Sequence, residues 1–475
     1  MQIRPSVLEI PADDPFKNDC LSRKELEPTL TQVVTQAVGS FVLAVDGSWG
    51  SGKTTFLNMW QVKLNEAGHL CLYLNAWKSD FVEDPLVAVV GELSIAIKNF
   101  RPDNGNVDAT IKKVEETAKL IFKRLIPIGV KIATHGVLDI DTPSEKLLSD
   151  LAGETAQDLI KDYCKGKLDI DNFRKDLSFL VTALQKPDRD PVKIVIVIDE
   201  LDRCRPIYAV QLLERIKHLF DVEGVVFILG IDREQLSHSI KALYGSEFEA
   251  RGYLKRFIDL DYRLPEPELG CYCSSLFEKF EINCLISKRP VAYDGSNQNE
   301  LNDLEYYLGY FMSSAGMNLR DQEQIVSKLR VVLQTVPANQ YLYPITLSIL
   351  LFLRSYKDSE IHASFMSGNL TAKDFMTFIE SLPNEKEAFE AFSNKAKYSS
   401  YCGFFKEGIE GVFLSGLRQV LKAASPEEKE YMRIFNSPQN PDDRIRWIIQ
   451  AISKEKESLN ATVRRLNLTS NFVQY

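Results

Sequence analysis

The stretch GSWGSGKTT, Gly47 to Thr55, decides the reading of this chain. It fits G-x-x-x-x-G-K-[ST], with Gly47, Gly52, Lys53 and Thr54 at the fixed positions. Before it stands a short apolar run, FVLAV (Phe41 to Val45). After it comes KTTFLNMWQVKLNEAG, a segment of helical spacing that stops at Gly68. Strand, glycine-rich turn and helix N-terminus in that order make an anion-binding loop. The glycines let backbone N–H groups curl around phosphates, and the helix dipole favours negative charge there. Gly47, Trp49, Gly50, Ser51, Gly52, Lys53, Thr54 and Thr55 are therefore expected to cradle a nucleotide. Lys53 would reach the β and γ phosphates, and the Thr54 hydroxyl would ligate Mg2+.

A second signal completes the first. IVIVID, Ile194 to Asp199, is a run of buried-strand character that ends in the charges Asp199, Glu200, Asp202, Arg203 and Arg205. A carboxylate at the C-terminal end of a parallel strand lies in the crevice where open α/β sheets bind ligands. Asp199 is expected there as the Walker B acid, holding Mg2+ mainly through water. Glu200 beside it is the natural general base for an attacking water. A site that only stored nucleotide would need no such base.

Further along, Asp232 ends the strand VVFILGID. Two roles fit it equally: sensing the γ-phosphate, or capping the helix that starts at Arg233. Arginines are needed against the charge of a transferring phosphoryl group. The candidates are Arg203, Arg205, Arg233, Arg251, Arg256 and Arg320. Arg320, opening a helix in GMNLRDQEQI, looks like the lid arginine of AAA-type ATPases. Arg256, just before the last strand in YLKRFIDL, is placed for a finger into a neighbouring subunit. No N-K-x-D guanine motif follows the later strands, so the expected nucleotide is ATP. In related ATPases the segment ahead of the first strand packs on the adenine; here that is CLSRKELE, Cys20 to Glu27, which reads equally as part of an ordinary N-terminal helix.

Composition narrows the class. At 475 residues the chain exceeds one ordinary core. A net charge of -9 argues against a protein built to coat nucleic acid. The eight cysteines include no CxxC pair and the five histidines no HxxxH spacing, so a reducing cytoplasm and no dedicated metal cage are expected. The opening MQIRPSVLEIPADDPFKNDC is polar and Pro-interrupted, unlike a signal peptide. The most membrane-like stretch, LIPIGVKIATHGVL (Leu125 to Leu138), carries a lysine and a histidine and is too short to span.

Strands alternating with helices imply a parallel sheet covered on both faces. The expected division is 1–100, an N-terminal helix and the first half of the core; 101–191, a helical insertion; and 192–267, the second half, ending in the strand-like FIDLDYRLP. A helical lid at 268–338 and an α-helical C-terminal domain at 339–475 follow.

With these pieces together the chain resembles the KAP family of P-loop NTPases. The resemblance is carried by GSWGSGKTTFL, LNAWKSDFVEDPL, IVIVIDELDRCRPIYAVQLLERIKHLF, GVVFILGIDREQLSHSI and YLKRFIDLDYRLP. It implies an ATPase core of the additional-strand class, an α/β sheet of order 5-1-4-3-2 with a helical lid. Many KAP members carry membrane-spanning helices inserted in this domain. Here 101–191 fills that place without one, so peripheral membrane contact alone is left open. The family also suggests a role in bacterial antiviral defence. The expected activity is an ATP-hydrolysing switch or remodeller. The alternatives are a nucleotide-gated binding module with negligible turnover, or a DNA-associated ATPase. For the last, KVEETAKLIFKRL and RIRWIIQAISKEKESLNATVRR are the only basic candidates, and nucleic acid is not favoured. The expected partner is a second copy of the chain, or another protein held through the helical C-terminal region.

Overall fold

A computed structural model gives the fold and describes residues 8–100, 107, 109–121, 156–185, 191–266, 271–289 and 297–336, and, with short breaks, 342–396. The hydrophobic stretch at 125–138 and the basic stretch beginning at Arg444 lie outside the described residues. Among the described residues no helix is long and apolar enough to cross a membrane.

Five strands form one sheet: β1 (Phe41–Asp46), β2 (Leu70–Asn75), β3 (Ile194–Asp199), β4 (Val225–Ile231) and β5 (Leu260–Arg263). Their spatial order is β2-β3-β4-β1-β5, and every pairing is parallel. Read from the other edge this is 5-1-4-3-2, the order the family resemblance implied. β3 and β4 are buried along their whole length, which is why their sequences are continuous β-branched and apolar runs rather than alternating ones. β5 is shorter than FIDLDYRLP suggests and mostly exposed. Phe257 and Ile258 are buried but precede it, and Asp259 continues the seam by accepting from Val42 N–H at 2.8 Å. Register matters most for function. Asn75 faces Asp199, Asp199 faces Gly230, and Asp46 faces both Ile231 and Arg263, so the strands end in line along one edge.

The helix Lys53–Glu66 springs from the glycine-rich loop and is anchored by Phe56, Leu57, Met59 and Trp60, all buried. Ahead of β1 the expected single helix is divided: Arg23–Glu25 is a 3-10 turn, and the α-helix is Glu27–Gln36 with Pro28 in its first turn. Trp60 ties the two together, stacking on Phe56 at 5.7 Å and donating its indole N–H to Thr31 Oγ1 at 2.8 Å. Trp60→Ala should therefore cost about 3–5 kcal/mol of stability in urea unfolding, the usual toll for emptying a fully buried aromatic site. A loss below about 1 kcal/mol would show that this contact does not hold the N-terminal helix.

Within the region read as an insertion, residues 109–121 and Ala156–Leu184 are helical. They share the core of the sheet: Phe173 meets Phe220 edge-on at 5.3 Å, and Phe220 meets Phe227 of β4 at 5.4 Å.

The chain divides into two compact units. One holds Glu9–Asp19 and Arg23–Pro265, including the whole sheet. The other holds Cys20–Ser22 and the chain from Glu266 on, and the regular elements among its described residues are helices, including Cys271–Lys279, Asn297–Ser314, Leu319–Thr335 and Pro344–Ser355. It has its own core, in which Phe311 stacks on Phe352 at 5.3 Å and Arg330 donates to the Phe280 carbonyl at 2.6 Å.

Candidate nucleotide site

The loop after β1 turns tightly because Gly50 (φ 80°) and Gly52 (φ 86°) occupy the left-handed region that side chains disfavour. Its entry is pinned where Gly47 N–H donates to the Ile231 carbonyl at 3.2 Å. Lys53, buried at the helix start, folds its ammonium back onto the carbonyls of Gly47 and, at 3.1 Å, Ser48. Burial pushes the Lys53 ammonium below its usual range, while Asp202, Asp232, Asp199 and Asp46 oppose that shift. One cation thus faces four carboxylates. The Ser51 hydroxyl is buried without a hydrogen-bond partner, a spare donor that a phosphate oxygen would satisfy.

At the end of β3 two adjacent carboxylates part company. Asp199 is buried and accepts from Tyr73 Oη at 2.8 Å and from Glu200 N–H at 2.9 Å, and it is hydrogen-bonded to Thr54. Burial raises its carboxyl above the ordinary range, with Thr54 and Tyr73 pulling the other way. The Tyr73 hydroxyl is pushed up in turn, by burial and then by Asp199. Glu200 takes the left-handed conformation at φ 60°. Its two oxygens are held separately, Oε2 by Asn75 Nδ2 at 2.9 Å and Oε1 by Arg203 at 2.7 Å.

The Thr54 hydroxyl and Asp199 carboxylate are hard oxygen donors in mutual contact. Among the described residues no group of three or more His, Cys, Asp and Glu could hold a metal alone. Two oxygen ligands completed by phosphates and water is the manner in which Mg2+ is bound, so this donor set fits it.

The model for the KAP family P-loop domain matches residues 28–335, more than half of the chain. The chain belongs to the KAP family. A phage T7 exclusion protein of Escherichia coli (strain K12) is similar to this KAP protein, 24% identical over 247 residues. That match takes in 48% of this chain and 30% of the relative, so the KAP chain spans under a third of that protein's length. Among solved structures, the Aeropyrum pernix ORC2 protein in its ADPNP-ADP complexes is 11% identical, with a TM-score of 0.33 over 96% of this chain and 98% of that one. Cdc6p from Pyrobaculum aerophilum is 12% identical, at 0.31 over 96% and 97%. At these scores neither likeness bears on the KAP chain, whose assignment rests on the family match and its nucleotide-binding P-loop.

The KAP core gathers Gly47 through Thr55, Asp199, Glu200 and Asp232 at one sheet edge. Asp232 caps the helix Arg233–Tyr244 by accepting from Gln235 N–H at 3.2 Å, and its charge also acts on Lys53. Arg256 is exposed, 6.0 Å from the Tyr253 ring centroid. Arg320 is exposed in the first turn of Leu319–Thr335, in the helical unit. Arg205 is bound to Asp80, at 2.8 Å through Nε and 2.7 Å through its backbone N–H. Arg233 pairs with Asp261 at 2.8 Å. Within CLSRKELE, Arg23 is buried and reaches the Ser51 carbonyl at 3.4 Å, touching the loop itself. Asp202 accepts from the Trp49 indole N–H. Residue patterns did not single out Tyr73, Asn75 or Asp46. The signal for Asn75 lay in NAW, where it also caps the short helix Ala76–Ser79 by accepting from Lys78 N–H at 2.9 Å.

Proposed function

We propose that this protein binds ATP with Mg2+ and hydrolyses it, using the cycle as a switch or remodeller. The observation that carries this reading is the division of labour at the end of β3. Asp199 is turned onto Thr54 and Tyr73, while its neighbour Glu200 is steadied by Asn75 and Arg203. Storage of nucleotide needs the first carboxylate and has no use for the second.

Lys53 and the backbone N–H groups of the loop bind the phosphates, and Thr54 and Asp199 hold the ion. Bound there, Mg2+ would neutralise charge on the β and γ oxygens. Glu200 orients the attacking water and takes its proton. Arg256 is proposed as the finger toward a second copy of the chain, and Arg320 as the lid arginine. The similar Escherichia coli protein is named for phage exclusion, which supports antiviral defence as the output, and the cytoplasm is the proposed location.

Glu200→Gln tests the reading. Turnover should fall about a hundred-fold or more, the usual share of a general base, while the affinity for Mg2+-ATP stays within about threefold. Phosphate release unchanged in this variant would remove the catalytic role of Glu200, and negligible release from the unaltered chain would leave a nucleotide-gated module.

A further inference from the structure

We propose that Arg203 is a positioning residue for Glu200, held in place by the indoles of Trp49 and Trp77. The proposal rests on the reading of Glu200 as the base and adds the device that aims it. Glu200 carries one donor on each oxygen, Arg203 at 2.7 Å and Asn75 at 2.9 Å. A carboxylate offers about four acceptor sites, so each oxygen keeps room for a water while the group as a whole cannot rotate. Its backbone is already in the left-handed region at φ 60°. Such a conformation persists only where the surroundings over-determine it.

An i,i+3 ion pair on a surface would ordinarily mean little. This one is different in what surrounds it. The Arg203 and Glu200 side chains are only 22% and 15% exposed. The Arg203 guanidinium lies 5.9 Å from the Trp49 ring centroid and 5.8 Å from that of Trp77. Those two rings are themselves 43% and 54% exposed, large apolar groups kept at the rim of the site. They arrive from different places, Trp49 from the glycine-rich loop and Trp77 from the short helix Ala76–Ser79 after β2. The Trp49 indole N–H also donates to Asp202, the residue before Arg203. The phosphate loop is thereby latched to the catalytic turn at two consecutive positions.

The test uses the full chain with Mg2+-ATP, measuring binding and single-turnover hydrolysis separately. Arg203→Ala should lower the hydrolysis rate at least about tenfold, with affinity changed by less than about threefold, and Arg203→Lys should recover part of it. In the Glu200→Gln background Arg203→Ala should add nothing, since an aiming residue has no work without its base. An equal fall in both backgrounds, or a rate unchanged or raised in the single variant, would overturn the proposal. Should Arg203→Ala not fold, Trp77→Leu at the exposed rim should slow hydrolysis by about two- to fivefold only where Glu200 is present. A Glu200→Gln protein with full activity would instead bring down the reading of the base itself, a result separate from an inert Glu200→Gln beside a fully active Arg203→Ala.

Discussion

Lys53→Ala is expected to abolish measurable nucleotide binding. The Lys53 ammonium is the cation that Asp202, Asp232, Asp199 and Asp46 all act upon at the phosphate loop. Without it, incoming phosphates meet four carboxylates and lose their charge-assisted hydrogen bonds, each worth about 1.5–3 kcal/mol. A loss of about 3 kcal/mol or more means affinity down over a hundred-fold. Calorimetric titration with Mg2+-ATP measures this directly. The rise in melting temperature that saturating nucleotide gives the wild type should vanish as well. Lys53→Arg should not rescue binding, because a planar guanidinium cannot follow the curl that brings this ammonium onto the Gly47 and Ser48 carbonyls. Affinity within tenfold of wild type would contradict the assigned role.

Gly230→Val is expected to damage both fold and site. An added Cβ at Gly230 would stand 2.4 Å from Leu57 Cδ1 and 2.6 Å from Asp199 Oδ1, well inside contact distance. Both neighbours are buried, so neither can swing out into water. Overpacking of this kind costs about 1–3 kcal/mol, and the two further methyls of valine add to it. The displaced atoms are the Asp199 carboxylate and the helix that carries Lys53, so Mg2+-dependent turnover should be lost even below the unfolding transition. Urea unfolding together with turnover at low temperature separates the two effects. Wild-type activity in Gly230→Val would show that Asp199 tolerates relocation.

The sheet was legible because buried parallel strands write themselves as unbroken β-branched and apolar runs, as β3 and β4 do. The loop was legible because its chemistry is local: Gly52, Lys53 and Thr54 are consecutive. What escaped sequence reasoning was made by register. Asn75 reaches Glu200 because β2 pairs with β3 residue for residue, and Tyr73 reaches Asp199 for the same reason. Neither spacing is visible along the chain. Gly230, an isolated glycine inside an apolar strand, is a sequence cue for close approach, yet its neighbours belong to β3 and the loop helix. The arginines after β3 stood without partners in the sequence; the fold gives Arg203 to Glu200 and Arg205 to Asp80. The ends of elements were least legible. Pro28 divides the N-terminal helix, and the final strand is only Leu260–Arg263 because its preceding apolar pair serves the core from a turn.

The pairing of β2 with β3 has a consequence for how the molecule assembles. More than a hundred residues separate Asn75 from Ile194, although their strands are immediate neighbours. Closing so long a connection costs little more at equilibrium than closing a shorter one, about 0.6 kcal/mol for each doubling of length. The rate is a different matter, since pairing across long separations is the slow step of sheet formation. On a growing chain the phosphate loop and β2 emerge well before Asp199 and Glu200 exist. The carboxylate edge is then completed from behind, when β3 inserts between the waiting β2 and the later β4. The helices 109–121 and Ala156–Leu184 of this connection pack in the sheet's core, so residues added outside them would alter the pace of that assembly more than the stability of its product, while cutting into them would cost both.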